Sequence, residues 1–250
     1  MKKQHNISPK PDMNQGQNPY QFPDSMNPPG SGSGTAIGML MGKTYALLAA
    51  TLGTSAIAAI ASEYGMHSAF AHQHPFILMI GALILMIGTF ALLFAVRYAS
   101  THRSPFAVPL VFLFAGGMGM MMGPGIEMYL RLPGGASIIV NALGATAVMF
   151  VGLSAHALTT RRNFSNIGGF LITGLVLGIM VSLLNIFLFH LPALQLAIAG
   201  VLVLVFSGLI LFDIQRMIRG GIQEPASLVV ELYLDITNPF MAPLELFAGK

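Results

Sequence analysis

The chain has neither cysteine nor tryptophan. Without cysteine there is no disulfide framework, no thiolate metal site and no cysteine nucleophile. Without tryptophan there is no indole belt at a membrane interface. Charge is scarcer still: Asp, Glu, Lys and Arg together make up 8% of the 250 residues. A soluble domain carries roughly 25% charged residues, so this surface could not be kept in water as an ordinary globular fold. The lysines are Lys2, Lys3, Lys10, Lys43 and Lys250. None sits within an apolar stretch, which excludes a retinal-type Schiff base.

What is abundant is apolar side chain, at 54% of residues. Seven segments are long enough to cross a hydrocarbon core that needs about 20 helical residues. They cover residues 44–62, 75–96, 105–123, 136–160, 165–189, 192–215 and 227–249. The composition therefore predicts an all-α integral membrane protein of seven transmembrane helices. Short connections make successive helices antiparallel and leave no room for a soluble catalytic domain.

Residues 1–42 read differently, with a basic start followed by Pro, Asn, Gln, Gly and Ser. Such a stretch buries little and is expected to be a disordered cytoplasmic tail. No apolar core follows the basic start closely, so no cleavable secretory signal is expected.

Orientation follows the Lys and Arg positions. Lys2, Lys3, Lys10, Lys43, Arg97, Arg103, Arg161, Arg162, Arg216 and Arg219 fall on the tail or on alternate loops, and only Arg131 and Lys250 on the other side. The N-terminus is thus expected in the cytoplasm and the C-terminus outside, as for a multi-pass protein of a bacterial inner (cytoplasmic) membrane. Tyr45, Tyr64, Tyr98 and Tyr129 lie near segment ends, where an amphipathic ring is favourable.

The acids that break the apolar pattern are Asp213, near the end of the sixth segment, and Glu231, Asp235 and Glu245 in the seventh. An acid at the centre of a membrane helix costs roughly 2.5–3.5 kcal/mol, so the seventh helix should lie inside the bundle, facing protein or water. Glu231, Asp235, Asn238 and Glu245 share one helical stripe and form a candidate polar path. Pro239 cannot donate to the carbonyl of Asp235, and Pro243 likewise frees that of Pro239. A bare carbonyl beside a carboxylate suits a cation. The bland alternative is a kinked helix whose acids are protonated or hydrogen-bonded to neighbours.

Asp213 and Asp235 flank one hairpin and can approach each other. Two nearby carboxylates resist double ionisation and titrate as a unit, which is a proton sensor in principle. The structural alternative is a simple bridge from Asp213 to Arg216 at i+3. Arg97 is a further counter-charge at the same depth, or a lipid-headgroup anchor.

Here a family resemblance enters. Phe212-Asp213, the loop from Arg216 to Gly221, and Leu232-Tyr233-Leu234-Asp235-Ile236-Thr237-Asn238-Pro239-Phe240 resemble the end of the Bax inhibitor-1 (transmembrane Bax inhibitor motif) family. Gly123-Pro124 with Gly144-Ala145-Thr146-Ala147-Val148-Met149-Phe150 resembles its middle signature. Leu158-Thr159-Thr160-Arg161, Asn185-Ile186-Phe187-Leu188 and Leu191-Pro192-Ala193-Leu194 are most similar to the bacterial YccA-like branch. The sequence departs from the family pattern at Gly125, Pro239 and Pro243.

The resemblance implies a seven-helix fold with the last helix central. It also implies a pH-sensitive calcium leak whose proton sensor and cation gate map onto Asp213 and Asp235, which would also hold calcium transiently. Arg97, with Arg216, maps onto a latch of the closed state. Some bacterial members are linked to the membrane protease FtsH, which makes a regulatory partner of that protease the second reading.

Neither reading needs a cofactor, with calcium only a permeant ion, and the expected surroundings are the bilayer, without nucleic acid. An enzyme is not expected. Two membrane aspartates could activate water as in an intramembrane protease, but the Leu232-Tyr233-Leu234-Asp235 context lacks the Gly-x-Gly-Asp pattern of that class. His67, His72 and His74 have a ligand-like spacing, for which a solvated loop is the simpler account. Met118, Met120, Met121, Met122 and Met128 read as flexible packing rather than soft-metal ligands.

Overall fold

A computed structural model describes residues 32–66, 75–160, 164, 167–219 and 224–248. Among these there is no strand; the elements are seven long helices. They are α1 (Gly32–Met66), α2 (Pro75–Thr101), α3 (Ala107–Leu130), α4 (Gly135–Thr159), α5 (Gly168–Leu184), α6 (Pro192–Ile218) and α7 (Pro225–Ala248). A π-helical turn, Asn185–Phe189, extends α5. The chain divides into Met1–Ala36 and Ile37–Lys250, and all packing described below belongs to the second unit.

Six helices are long and apolar enough to cross a membrane. Their lipid-facing surfaces carry side chains such as Phe94, Val148 and Phe170, exposed because hydrocarbon is their solvent. The chain is an integral membrane helical bundle. Helix α7 falls outside that group of six because its acids dilute its apolar character, and its place is set by burial instead. Leu228, Val229, Leu232 and Leu244 are fully buried. It packs against α2, α3, α4 and α6. A 2.6 Å hydroxyl–hydroxyl hydrogen bond from Ser55 Oγ to Tyr233 Oη ties it to α1 as well. The acids predicted a central last helix, and that is where it lies.

In lipid, helices gain little from apolar burial alone, so small residues that let backbones approach do much of the packing. A Cβ on Gly119 would strike the Ser55 carbonyl, and one on Gly123 would strike the Ala59 carbonyl and the Ser62 hydroxyl. Two glycines one turn apart thus seat α3 directly on the backbone of α1.

Several boundaries differ from the sequence reading. Helix α1 begins at Gly32, inside the stretch expected to be tail, while residues 1–31 lie outside the described residues. The third segment was expected to end at Gly123, but α3 passes through Pro124 and continues to Leu130, so Glu127 is inside a helix. Glu127 is buried and pairs with Arg131 one turn on, which offsets the cost of its charge. Pro239 does not interrupt α7, which is helical from Pro225 to Ala248. A proline within a membrane helix is tolerated where neighbours surround the freed carbonyl.

Candidate functional site

The site forms where α6 ends and α7 begins. Antiparallel packing across this hairpin sets Asp213 and Arg216, one turn apart on α6, against Glu231 and Asp235, one turn apart on α7. The last turns of α2 bring Arg97 to the same level.

Asp213 is 6% exposed and Asp235 5%, and the two carboxyls are neighbours across the hairpin. Ionised carboxylates only accept hydrogen bonds, so a bond between these two would need a proton on one of them. Asp235 Oδ2 is buried and has no hydrogen-bond partner. The two acids expected to meet are therefore neighbours.

The arginines are not distributed as expected. Arg216 Nη2 donates to Glu231 Oε2 at 2.5 Å and lies 4.0 Å from Asp213 Oδ1. Its guanidinium also sits 5.5 Å from the centroid of the Phe212 ring, a cation–π arrangement. Arg97 Nη2 lies 3.4 Å from Glu231 Oε1. Glu231, read from sequence as one step of a polar path, is thus the hub of the cluster, each of its oxygens facing a different arginine. Arg97 reaches Glu231 and not the aspartates, because Glu231 stands one turn nearer the helix end from which Arg97 approaches. The simple bridge from Asp213 to Arg216 is the longest of these ion pairs.

Charge closes over the cluster. Two guanidiniums face Glu231 and the acid pair, so positive and negative charges balance when the pair carries one proton. A second proton lost from the pair would leave adjacent like charges in a poorly hydrated place.

These residues line one end of a cavity of about 700 Å³ bounded by α2, α3, α5, α6 and α7. Asn238 and Pro239 also line it, so three of the four polar-path residues share this cavity. The fourth, Glu245, has its side chain outside the described residues. Beyond the charged end the walls are mostly apolar, with Phe90, Leu202 and Phe206 beside Thr89, Ser182 and Gln195. Asn238 donates to the Leu234 carbonyl at 2.9 Å, spending its amide locally. No three His, Asp or Glu side chains converge into a metal cage among the described residues. The two aspartates with the Asp235 carbonyl freed by Pro239 make at most a partial oxygen shell for a hard cation that prefers six to eight ligands.

Of the other sequence candidates, His67, His72 and His74 lie outside the described residues. Met118 and Met121 line the cavity as flexible wall, and Met128 is exposed. The sequence reading missed two residues buried in the bundle. Tyr233 anchors α7 through Ser55 and an edge-on contact with Phe114, with ring centroids 5.8 Å apart. Glu127 was detectable, since its i,i+4 spacing to Arg131 is a pairing signal.

A sequence model of the family described as "Inhibitor of apoptosis-promoting Bax1" matches residues 38–250. A membrane protein of Vibrio cholerae is 38% identical over 204 residues, 81% of this chain and 86% of the relative. The Escherichia coli K12 protein named "Modulator of FtsH protease YccA" is 36% identical over 212 residues, 83% of this chain and 89% of the relative. A second E. coli sequence at the same identity and coverage is named "Inner membrane protein YccA".

Proposed function

Because this chain belongs to the Bax inhibitor-1 family, we propose that it acts in a bacterial inner membrane as a modulator of an FtsH-type membrane protease. The observation that carries this reading is the 36% identity, over most of both chains, to a relative named for that role. The match to the family begins at residue 38. The helical bundle is therefore the part through which a shared partner is recognised, and the polar residues before it are a handle that a processive ATPase can grip.

Affinity purification of the full chain from membranes is expected to bring down the protease. Deleting residues 1–31 is expected to slow the chain's own turnover while keeping that association. An absence of association, together with unchanged turnover of the protease's other membrane substrates when this chain is deleted, overturns the proposal.

A second reading, a pH-sensitive calcium leak, is favoured by the buried, adjacent Asp213 and Asp235 at the charged end of the cavity. At low pH the shared proton holds the two carboxyls together. Raising the pH removes it and leaves two like charges in contact, which drives α6 and α7 apart or admits a cation between them. Calcium entry into proteoliposomes is expected to rise with pH, and the double variant Asp213→Asn, Asp235→Asn to lose that dependence. A pH dependence unchanged in the double variant sinks the mechanism. In this reading the Glu231 bridges to Arg97 and Arg216 latch the closed state.

The charge distribution supports an N-terminus in the cytoplasm and a C-terminus outside. A single cysteine added at either end of this cysteine-free chain reports its side directly. Labelling of the N-terminal cysteine by an impermeant thiol reagent in intact cells overturns that orientation.

A further inference from the structure

On the face of α7 away from the charged cluster lies a second cavity, about 940 Å³, bounded by α1, α3, α4 and α7. It runs from Tyr45 to Ile60 along α1 and from Ile139 to Leu158 along α4. At 1.5 Å per residue these stretches span about 22 and 28 Å, most of a hydrocarbon core of about 30 Å. Ile60, Leu143 and Val151 line it and are also strongly exposed, 56%, 53% and 65%, so the cavity opens sideways onto the lipid-facing surface. Its width comes from small side chains, among them Ala56, Ala147 and Ala155.

Most hydroxyls on the wall are already satisfied. Ser55 binds Tyr233, Thr146 the Ala142 carbonyl and Thr237 the Tyr233 carbonyl. The exception is at one mouth. There the Tyr45 and Ser154 hydroxyls are both buried without a hydrogen-bond partner, and Ser154 is only 8% exposed. Lys43, exposed, stands two residues before Tyr45.

We propose that this cavity is a binding site for an anionic glycerophospholipid, with one acyl chain along the crevice between α1 and α4 and the ester region at Tyr45 and Ser154. An apolar void of this size is not filled by water, which needs two to four polar partners. A side opening within the membrane admits a chain from the bilayer. The hydroxyl pair meets the carbonyl oxygens where the chain begins, and Lys43 faces the phosphate.

The test uses the full chain in phosphatidylethanolamine–phosphatidylglycerol vesicles containing phosphatidylglycerol with a photoactivatable diazirine on one acyl chain. Crosslinks are expected on the α1 and α4 lining at about tenfold the level on the lipid-facing side of α5 around Phe170, a preference of about 1.4 kcal/mol. The double variant Ala147→Phe, Ala155→Phe fills the crevice and is expected to bring labelling down to the α5 level. Even labelling of α4 and α5, or labelling that survives the filled crevice, overturns the site.

Should the filled variant fail to fold, the near-isosteric pair Tyr45→Phe, Ser154→Ala decides. Native mass spectrometry is expected to show fewer retained phosphatidylglycerol molecules on that variant than on the unmodified chain. Equal retention overturns the assignment of the ester region.

Discussion

Helices α5 and α7 invert the usual relation between polarity and burial. Helix α5 carries no charged residue, yet only its Gly168 and Leu171 are buried. Helix α7 carries Glu231, Asp235 and Glu245, yet Leu228, Val229, Leu232 and Tyr233 on the same helix are almost wholly inside. In water the apolar helix would be hidden. In a bilayer the solvent is hydrocarbon, so an apolar helix is content at the edge and a helix with acids must be surrounded by protein. Tolerance to substitution divides the same way: α5 meets lipid and can vary, while α7 meets α2, α3, α4 and α6.

Substitution tests that contrast directly. The largest effect is expected from Glu231→Ala, which removes the carboxylate between Arg97 and Arg216. Both arginines keep some solvent, with side chains 56% and 37% exposed. The loss is therefore placed at about 2–3 kcal/mol, below the full cost of stranding buried charges. Thermal unfolding in detergent measures it, and a change within experimental error would remove Glu231 from its place as hub.

Next comes Asp235→Asn. Stability from the shared proton is present at low pH and lost as pH rises, so the unmodified chain should unfold more readily in alkaline buffer. The amide keeps a donor at every pH, and the variant should flatten that dependence by about 1.5 kcal/mol across the titration. A slope equal to that of the unmodified chain argues against a proton in the pair.

Tyr233→Phe, which gives up the bond to Ser55, should cost about 1 kcal/mol. At the bottom of the scale stands Phe170→Leu on α5, where Phe170 is 78% exposed and a change within about 0.5 kcal/mol is expected. If Phe170→Leu proves as damaging as Tyr233→Phe, α5 has a protein partner and the contrast fails.

The fold was legible because its signals are composition and length, and these act locally. Apolar runs announce the helices, and the cost of three acids in one segment placed α7 inside before any contact was known. The meeting of Asp213 and Asp235 was legible for a related reason: a short hairpin fixes which residues of two antiparallel helices lie at the same height.

The role of Glu231 was not legible in that way. It depends on how far the end of α2 leans toward α7, a coincidence of three helices that no spacing within one of them records. Hydropathy also ended the third segment at Gly123, since it penalises Glu127 without crediting Arg131 one turn later. Pro239 removes one hydrogen bond, that to the Asp235 carbonyl, without turning α7 from its course, since a helix enclosed by neighbours tolerates the loss.

Helix α7 separates two cavities of opposite character. Asp235, Asn238 and Pro239 look into the charged one, while Ile236, Thr237 and Phe240 look into the apolar one. These residues alternate within less than two turns, so α7 is a party wall. It cannot rotate or shift to relieve crowding on one side without moving the surface offered to the other. A ligand in the apolar room that moves α7 moves a wall of the charged one, and by linkage such an effect runs equally in both directions.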